Sequence, residues 1–174
     1  MTRDRSGAVP PKGEAFAAVV EEHWQAVYRL LRSLSGNVHE TEDLTQETFL
    51  RALQRLASFQ PGTSMRNWLM RIASNAFFDV RRKRTRSKAQ PLAIDPARDE
   101  CPIGHDLEVA EQSALVQAAM EELTELTRLV FHLRATEELS FREIAEIAGT
   151  TEQAARWHMH EARKRLLERM GDKL

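Results

Sequence analysis

Apolar residues recur at three- and four-residue spacing along most of this chain, and no stretch alternates as a half-buried strand would. The first run, 14–35, places Phe16, Val19, Val20, Trp24, Val27, Leu31 and Leu34 on one face and stops at Ser35-Gly36-Asn37. A second run, from about 41 to 57, turns Leu44, Phe49, Ala52, Leu53 and Leu56 inward. Gln60-Pro61-Gly62 breaks the pattern, and Thr63 or Ser64 is placed to cap the next helix. That helix, 65–86, has Trp68, Leu69, Ile72, Ala73, Ala76 and Val80 on its buried side. Four more helical segments are expected at 107–122, 124–137, 140–148 and 151–169.

Between 89 and 106 the pattern stops. Pro91, Pro96, Pro102 and Gly104 oppose a helix there, and acidic residues dominate. The expected fold class is all-α: two small helical domains joined by a flexible acidic linker. The divisions read as a disordered N-terminus at 1–12, a first domain at 13–88, a linker at 89–106 and a second domain at 107–174.

The last two segments form a specific supersecondary pattern. Ile144, Ala145 and Ala148 make one apolar stripe, and Ala155, Met159, Ala162 and Leu166 make another. Gly149 supplies a tight turn between them, and Thr150 or Thr151 can cap the second helix by accepting its free N–H groups. Two short helices with facing stripes and a glycine turn predict a helix-turn-helix, whose second helix enters the DNA major groove. Gln153, Arg156, Trp157, His160 and Lys164 occupy its opposite face. They supply the donors, acceptors and apolar tips that base reading needs. An ordinary helical hairpin with a solvated face is the plainer alternative.

Composition narrows the class. At 174 residues with 42% hydrophobic content, the chain can build real cores, and no apolar run approaches the roughly 20 residues that cross a bilayer. Met1–Lys12 lacks the apolar segment of a signal peptide, so a cytoplasmic protein without membrane insertion is expected. The single cysteine, Cys101, excludes an intramolecular disulfide framework. The net charge of −1 conceals an uneven distribution: residues 1–90 carry +6, 91–122 carry −7 and 123–174 are neutral. A basic first half can bind polyanions. Six of the eight residues Arg81–Lys88 are basic, at the end of a helix whose outer face carries Asn67, Arg71, Ser74, Asn75, Phe78 and Arg82. Arginine neutralises phosphates, asparagine bonds base edges and an exposed aromatic stacks on an unpaired base. Taken singly, Phe77 and Phe78 read better as core residues.

Five segments in order resemble one family. Glu42-Asp-Leu-Thr-Gln-Glu-Thr-Phe-Leu-Arg-Ala52, Phe59-Gln-Pro-Gly62 with Asn67-Trp-Leu-Met-Arg-Ile-Ala-Ser-Asn75 and Asp79-Val-Arg-Arg82, Leu123-Thr-Glu-Leu-Thr-Arg-Leu-Val-Phe131, Leu139-Ser-Phe-Arg-Glu-Ile-Ala145 and Ala162-Arg-Lys-Arg-Leu166 are similar to the motifs of extracytoplasmic-function (ECF) sigma factors of the sigma-70 family. These factors contain sigma regions 2 and 4 alone, and the resemblance covers about 14–88 and 108–169. It implies a factor that binds core RNA polymerase, through the beta-prime clamp and the beta flap, and directs initiation at promoter DNA. Asp43, Gln46 and Glu47 then fall where the family meets the clamp. Asn67, Arg71, Asn75, Phe78, Arg81, Arg82 and Lys83 fall where it binds and opens the −10 element. Thr151, Gln153, Arg156, Trp157, His160, Arg163 and Lys164 fall where it reads the −35 element. The family often adds an anti-sigma factor as a further partner. Trp157 stands where a small polar residue is usual, Glu161 replaces a frequent arginine, and Leu123-Thr124-Glu125 lacks the proline commonly found there.

Rival readings find less support. The chain has no Gly-rich phosphate loop, no G-x-S-x-G elbow and no H-E-x-x-H, so it is not expected to be an enzyme, and neither cofactor nor metal is expected. His158 and His160 are two apart on a helix and point different ways. Cys101 and His105 read as plain linker residues. The other alternative is a helix-turn-helix transcriptional regulator acting without being a polymerase subunit; such proteins usually carry a sensor or receiver domain.

Overall fold

The computed structural model describes residues 12–60, 62–87, 118–120 and 122–171. The N-terminal segment assigned above to 1–12, apart from Lys12, which begins the first helix, the linker (89–106) and most of the helix at 107–122 lie outside them, as do Cys101 and His105. No strand occurs among the described residues.

Helix α1 spans Lys12–Ser35, α2 Val38–Arg55, followed by a 3-10 turn at Leu56–Ser58, and α3 Met65–Ser87. These three pack mutually into an amino-terminal bundle. Val27, Leu30, Leu31, Leu69, Met70, Ala73 and Phe77 are sealed in its centre, and Trp24 stacks on Phe49 with ring centroids 5.5 Å apart. The α2 helix starts three residues before the apolar pattern does. Asn37 takes an extended conformation and its side chain accepts the Glu40 N–H at 2.9 Å, so the cap sets the start rather than the first buried residue. Of the two expected caps of α3, Thr63 and Ser64, it is Ser64 whose hydroxyl accepts the Asn67 N–H, at 3.2 Å. Leu53, expected inward, is 47% exposed, and Leu50 is 56% exposed. The buried face of α2 runs instead through Thr41, Leu44, Thr45, Thr48, Phe49 and Ala52. Three threonines there are tolerated because Thr41, Thr45 and Thr48 each donate their hydroxyl to the carbonyl four residues back.

The carboxy-terminal bundle consists of α4 (Glu125–Ala135), α5 (Phe141–Ala148) and α6 (Glu152–Gly171). Each packs on the other two. The α5 start is a full capping box, in which Ser140 and Glu143 satisfy each other's backbone N–H groups. Gly149 ends α5 at φ 63°, ψ 39°, a left-handed conformation that costs glycine little, and Thr151 caps α6 by accepting the Ala154 N–H at 3.1 Å. Ile144, Ala145, Ala155, Met159 and Ala162 are buried along the helix-turn-helix seam as expected, while Ala148 and Leu166 are half-buried.

The two bundles are packed together, α1 against α4 and α3 against α5, and their buried residues form one apolar cluster running from Leu30 and Leu34 to Leu129, Leu133 and Ile147. Arg128 ties the junction: its guanidinium donates to the carbonyls of Leu34, Met120 and Leu123. Leu34 lies at the C-terminal end of α1, where unpaired carbonyls and the helix dipole both favour a cation.

Candidate nucleic-acid interface

Asn67, Arg71, Asn75, Phe78 and Arg82 are spaced by three or four along α3 and therefore share a face. Arg71 and Asn75 are exposed, and Phe78 is half-buried with its ring edge-on to Phe77 at 5.4 Å. Arg82 is held by Asp79 at 2.8 Å, and Asp79 also binds Arg51 of α2, which in turn binds Glu47. The face is thus built on an α2–α3 ion network, which fixes where its cations point. Below it lies a groove of about 650 Å³ lined by Gln60, Thr63, Asn67, Trp68 and Arg71 on one side and by Arg142, Glu143, Glu146 and Ile147 of α5 on the other. Phe59 packs edge-on against Trp68, with ring centroids 5.3 Å apart.

Other residues of the basic group are placed differently. Arg81 turns away from this face: it lies over the Phe77 ring at 5.0 Å and pairs with Glu125 at 3.0 Å and Glu40 at 3.9 Å. Arg84 pairs with Glu40 at 2.9 Å, and Lys83 is exposed. Asn67 donates its side-chain amide to Glu143 Oε1 at 2.9 Å. Glu143 therefore caps its own helix with one oxygen and holds α3 with the other. Its carboxyl sits below the ordinary range, chiefly through the Ser140 hydroxyl, then the Ser140 N–H and the Asn67 amide.

On α6, Gln153, Arg156, Trp157, His160, Arg163 and Lys164 all face solvent, with Thr151 exposed at the cap. The Arg156 guanidinium lies 4.6 Å from the Phe141 ring centroid and is thereby aimed along the outer face. Trp157 is 59% exposed and touches the His158 ring edge-on. His158 itself is drawn inward, its Nδ1 2.9 Å from the Thr127 hydroxyl, and burial pushes its pKa below the usual histidine value. On α2, Asp43 and Gln46 are exposed, and Glu47 is bonded to Arg51 at 2.7 Å. With Leu50 and Leu53 they form one outward stripe, half polar and half apolar.

The family models for "Sigma-70 region 2" and "Sigma-70, region 4" match residues 19–87 and 113–166. The ECF RNA polymerase sigma factor SigW of Bacillus subtilis is 30% identical over 171 residues, covering 91% of this chain and 90% of its own length. This chain is an ECF sigma factor of the sigma-70 family. The ECF sigma factor SigE of Mycolicibacterium smegmatis is 39% identical over 154 residues, covering 85% of this chain but 58% of its own length, so the chain spans little more than half of that relative. Among solved structures, the sigma factor RpoE of Bartonella quintana, in complex with the anti-sigma factor NepR, superposes with a TM-score of 0.73 at 25% identity, over 92% of this chain and 99% of that one. The amino-terminal bundle is accordingly region 2 and the carboxy-terminal bundle region 4. The contacts between the regions of this sigma factor were not anticipated from sequence. Asn67 and Glu143 are 76 positions apart, and no local pattern links them.

Proposed function

We propose that this chain binds core RNA polymerase and directs promoter-specific initiation in the cytoplasm, reading the −10 element with α3 and the −35 element with α6, as a binding factor rather than an enzyme. The observation that carries this reading is the division of labour over three helices. The stripe Asp43–Gln46–Glu47–Leu50–Leu53 suits a protein partner, because exposed leucines beside fixed polar groups gain from being covered. The α3 face suits an unpaired strand, with Arg71 for phosphate, Asn75 for a base edge and the Phe78 and Trp68 rings beside it. The α6 face suits duplex DNA, since its outward residues are long, polar or aromatic while Ala155, Met159 and Ala162 turn inward. Beta-prime clamp and beta flap are the polymerase surfaces assigned to regions 2 and 4. An inhibitory partner of the anti-sigma class is proposed by analogy with the Bartonella complex.

The test is core binding by a charge-altered stripe. Asp43→Arg with Gln46→Ala changes two exposed residues, so the melting temperature should hold. Retention on immobilised core polymerase and run-off transcription should both fall by about tenfold or more, the scale of two lost polar contacts. Undiminished binding by the folded variant would remove α2 from the interface.

Strand opening gives a second, smaller expectation. Asn75→Ala deletes one base-edge hydrogen bond worth about 1 kcal/mol, roughly fivefold in the open-complex equilibrium. Permanganate reactivity of unpaired thymines should drop by that factor, with recruitment to −35 duplex unaltered. A loss confined to duplex recruitment would contradict the assignment.

A further inference from the structure

Phe141 opens α5, and side chains of all three region 4 helices meet at its ring. Its backbone is set by the capping box of Ser140 and Glu143, and its half-buried side chain packs against the apolar core. Arg134, in the last turn of α4, holds its guanidinium 5.3 Å from the ring centroid and donates from Nη1 to the Leu139 carbonyl at 3.0 Å. Arg156, on α6, holds its own guanidinium 4.6 Å from the same centroid. The ring is thus anchored by α5, flanked by a cation fixed on α4 and in contact with a cation of α6.

Arg156 is exposed, and an exposed arginine samples many rotamers, whereas a bidentate contact to a base needs one of them. Two neighbours restrict it, with opposite consequences. Glu152, one turn back on α6, lies 3.6 Å from Nη2. A carboxylate engages the N–H edge of a guanidinium, the same edge a base would use, so Glu152 competes with reading. An aromatic ring engages the flat face and leaves the N–H edge free. Arg134 on the same ring is a like charge, which opposes further inward movement of Arg156. With the ring, Arg156 is held ready; without it, Glu152 draws the guanidinium back along α6.

We infer that Phe141 is a positioning residue for −35 recognition: its ring holds Arg156 in the orientation that donates two hydrogen bonds to a guanine, and discrimination at that base pair depends on the ring acting through Arg156. Guanine is the base that fits, because its O6 and N7 acceptors match the guanidinium fork. The rotamer freedom of Arg156 is then given up on folding rather than on binding, which favours the complex. Loss of an exposed cation–π contact corresponds to about twofold to fivefold in discrimination. The inference rests on the assignment of α6 to the −35 duplex made above.

The experiment uses the full chain with core polymerase. Phe141→Leu removes the ring and keeps an apolar side chain, Phe141→Met is a second ring-free variant in case the first folds poorly, and Phe141→Tyr keeps the ring. Selection of −35 duplexes from a randomised pool should show a guanine preference that Arg156→Ala abolishes. Phe141→Leu and Phe141→Met should weaken that one preference by about twofold to fivefold and leave the other positions unchanged. Phe141→Tyr should retain it, and Phe141→Leu added to Arg156→Ala should have no further effect. A DNA-free readout accompanies this. The Arg156 Nε–H proton, assigned by its loss in Arg156→Lys, should resonate upfield under the ring in the parent and in Phe141→Tyr, and return to its ordinary position in Phe141→Leu. A uniform loss of preference at every position, an additive double variant, or an Arg156 proton unmoved by loss of the ring would overturn the positioning role while leaving α6 as the reader. Selection unaltered by Arg156→Ala would overturn both the positioning role and the assignment of Arg156 to a base.

Discussion

Phe77→Ala is expected to destabilise region 2 by about 3–5 kcal/mol, the cost of removing a fully buried aromatic and leaving a cavity. Domains of this size are held by about 5–15 kcal/mol, so this one change removes a large share of the total. The surroundings make collapse into the cavity difficult. Phe77 lies on the same helix as Leu69, Met70, Ala73 and Ala76, all sealed from solvent in the core, and that helix packs on both others of its bundle. It also carries Arg81 over its face at 5.0 Å and meets Phe78 edge-on, so both neighbours lose a support. Chemical denaturation followed by far-UV circular dichroism should show the midpoint falling sharply. Phe78→Ala is the control. Its ring is half-buried on the strand-facing side, so it should cost less stability and more open-complex formation. Equal destabilisation by the two would mean that Phe78 is simply core.

How far the fold could be read in advance depends on the range of the interaction concerned. Helix content and the breaks at Gly36, Gln60–Gly62 and Gly149 are local and followed from residue type and spacing, while the caps were narrowed to adjacent pairs from which the structure selects Ser64 and Thr151. Leu53 was misplaced because helical spacing gives two candidate apolar faces on α2, and threonines that satisfy their own hydroxyls filled the inward one. The start of α2 was misplaced because a cap, not an apolar residue, begins it. The stripe on α3 was readable as a set of outward positions. What could not be read was that Asn67 and Arg81 are already engaged. Their partners lie on helices of the other region, and the choice among the chain's 26 acidic residues is made by tertiary packing. The residue pattern forecast two bundles and a tether; the joint core of Leu30, Leu34, Leu129 and Leu133 shows that the bundles also bury surface against each other.

Trp157→Ser is expected to change what α6 reads while leaving the fold nearly untouched. A ring at this position can point outward on the groove-facing side or fold sideways onto the preceding helices. At 59% exposure it is outward, and its described ring contact is His158 on the same helix. Replacing an exposed residue of this kind costs about 0.5 kcal/mol or less, so the melting temperature should move little. Its helix buries Ala155, Met159 and Ala162 against α4 and α5, and that seam does not involve position 157. On DNA the expectation is larger. A large apolar ring between Arg156, held over Phe141, and His160 can meet a thymine methyl, and a good base contact discriminates by about 1–3 kcal/mol. Selection of −35 duplexes from a randomised pool by the polymerase-bound factor should therefore lose preference at one or two positions by about fivefold to a hundredfold. The phosphate contacts expected from Arg163 and Lys164 should persist, so the dependence of affinity on salt should keep its slope. A variant that melts many degrees lower while selecting the same sequences would show that the ring supports the fold instead.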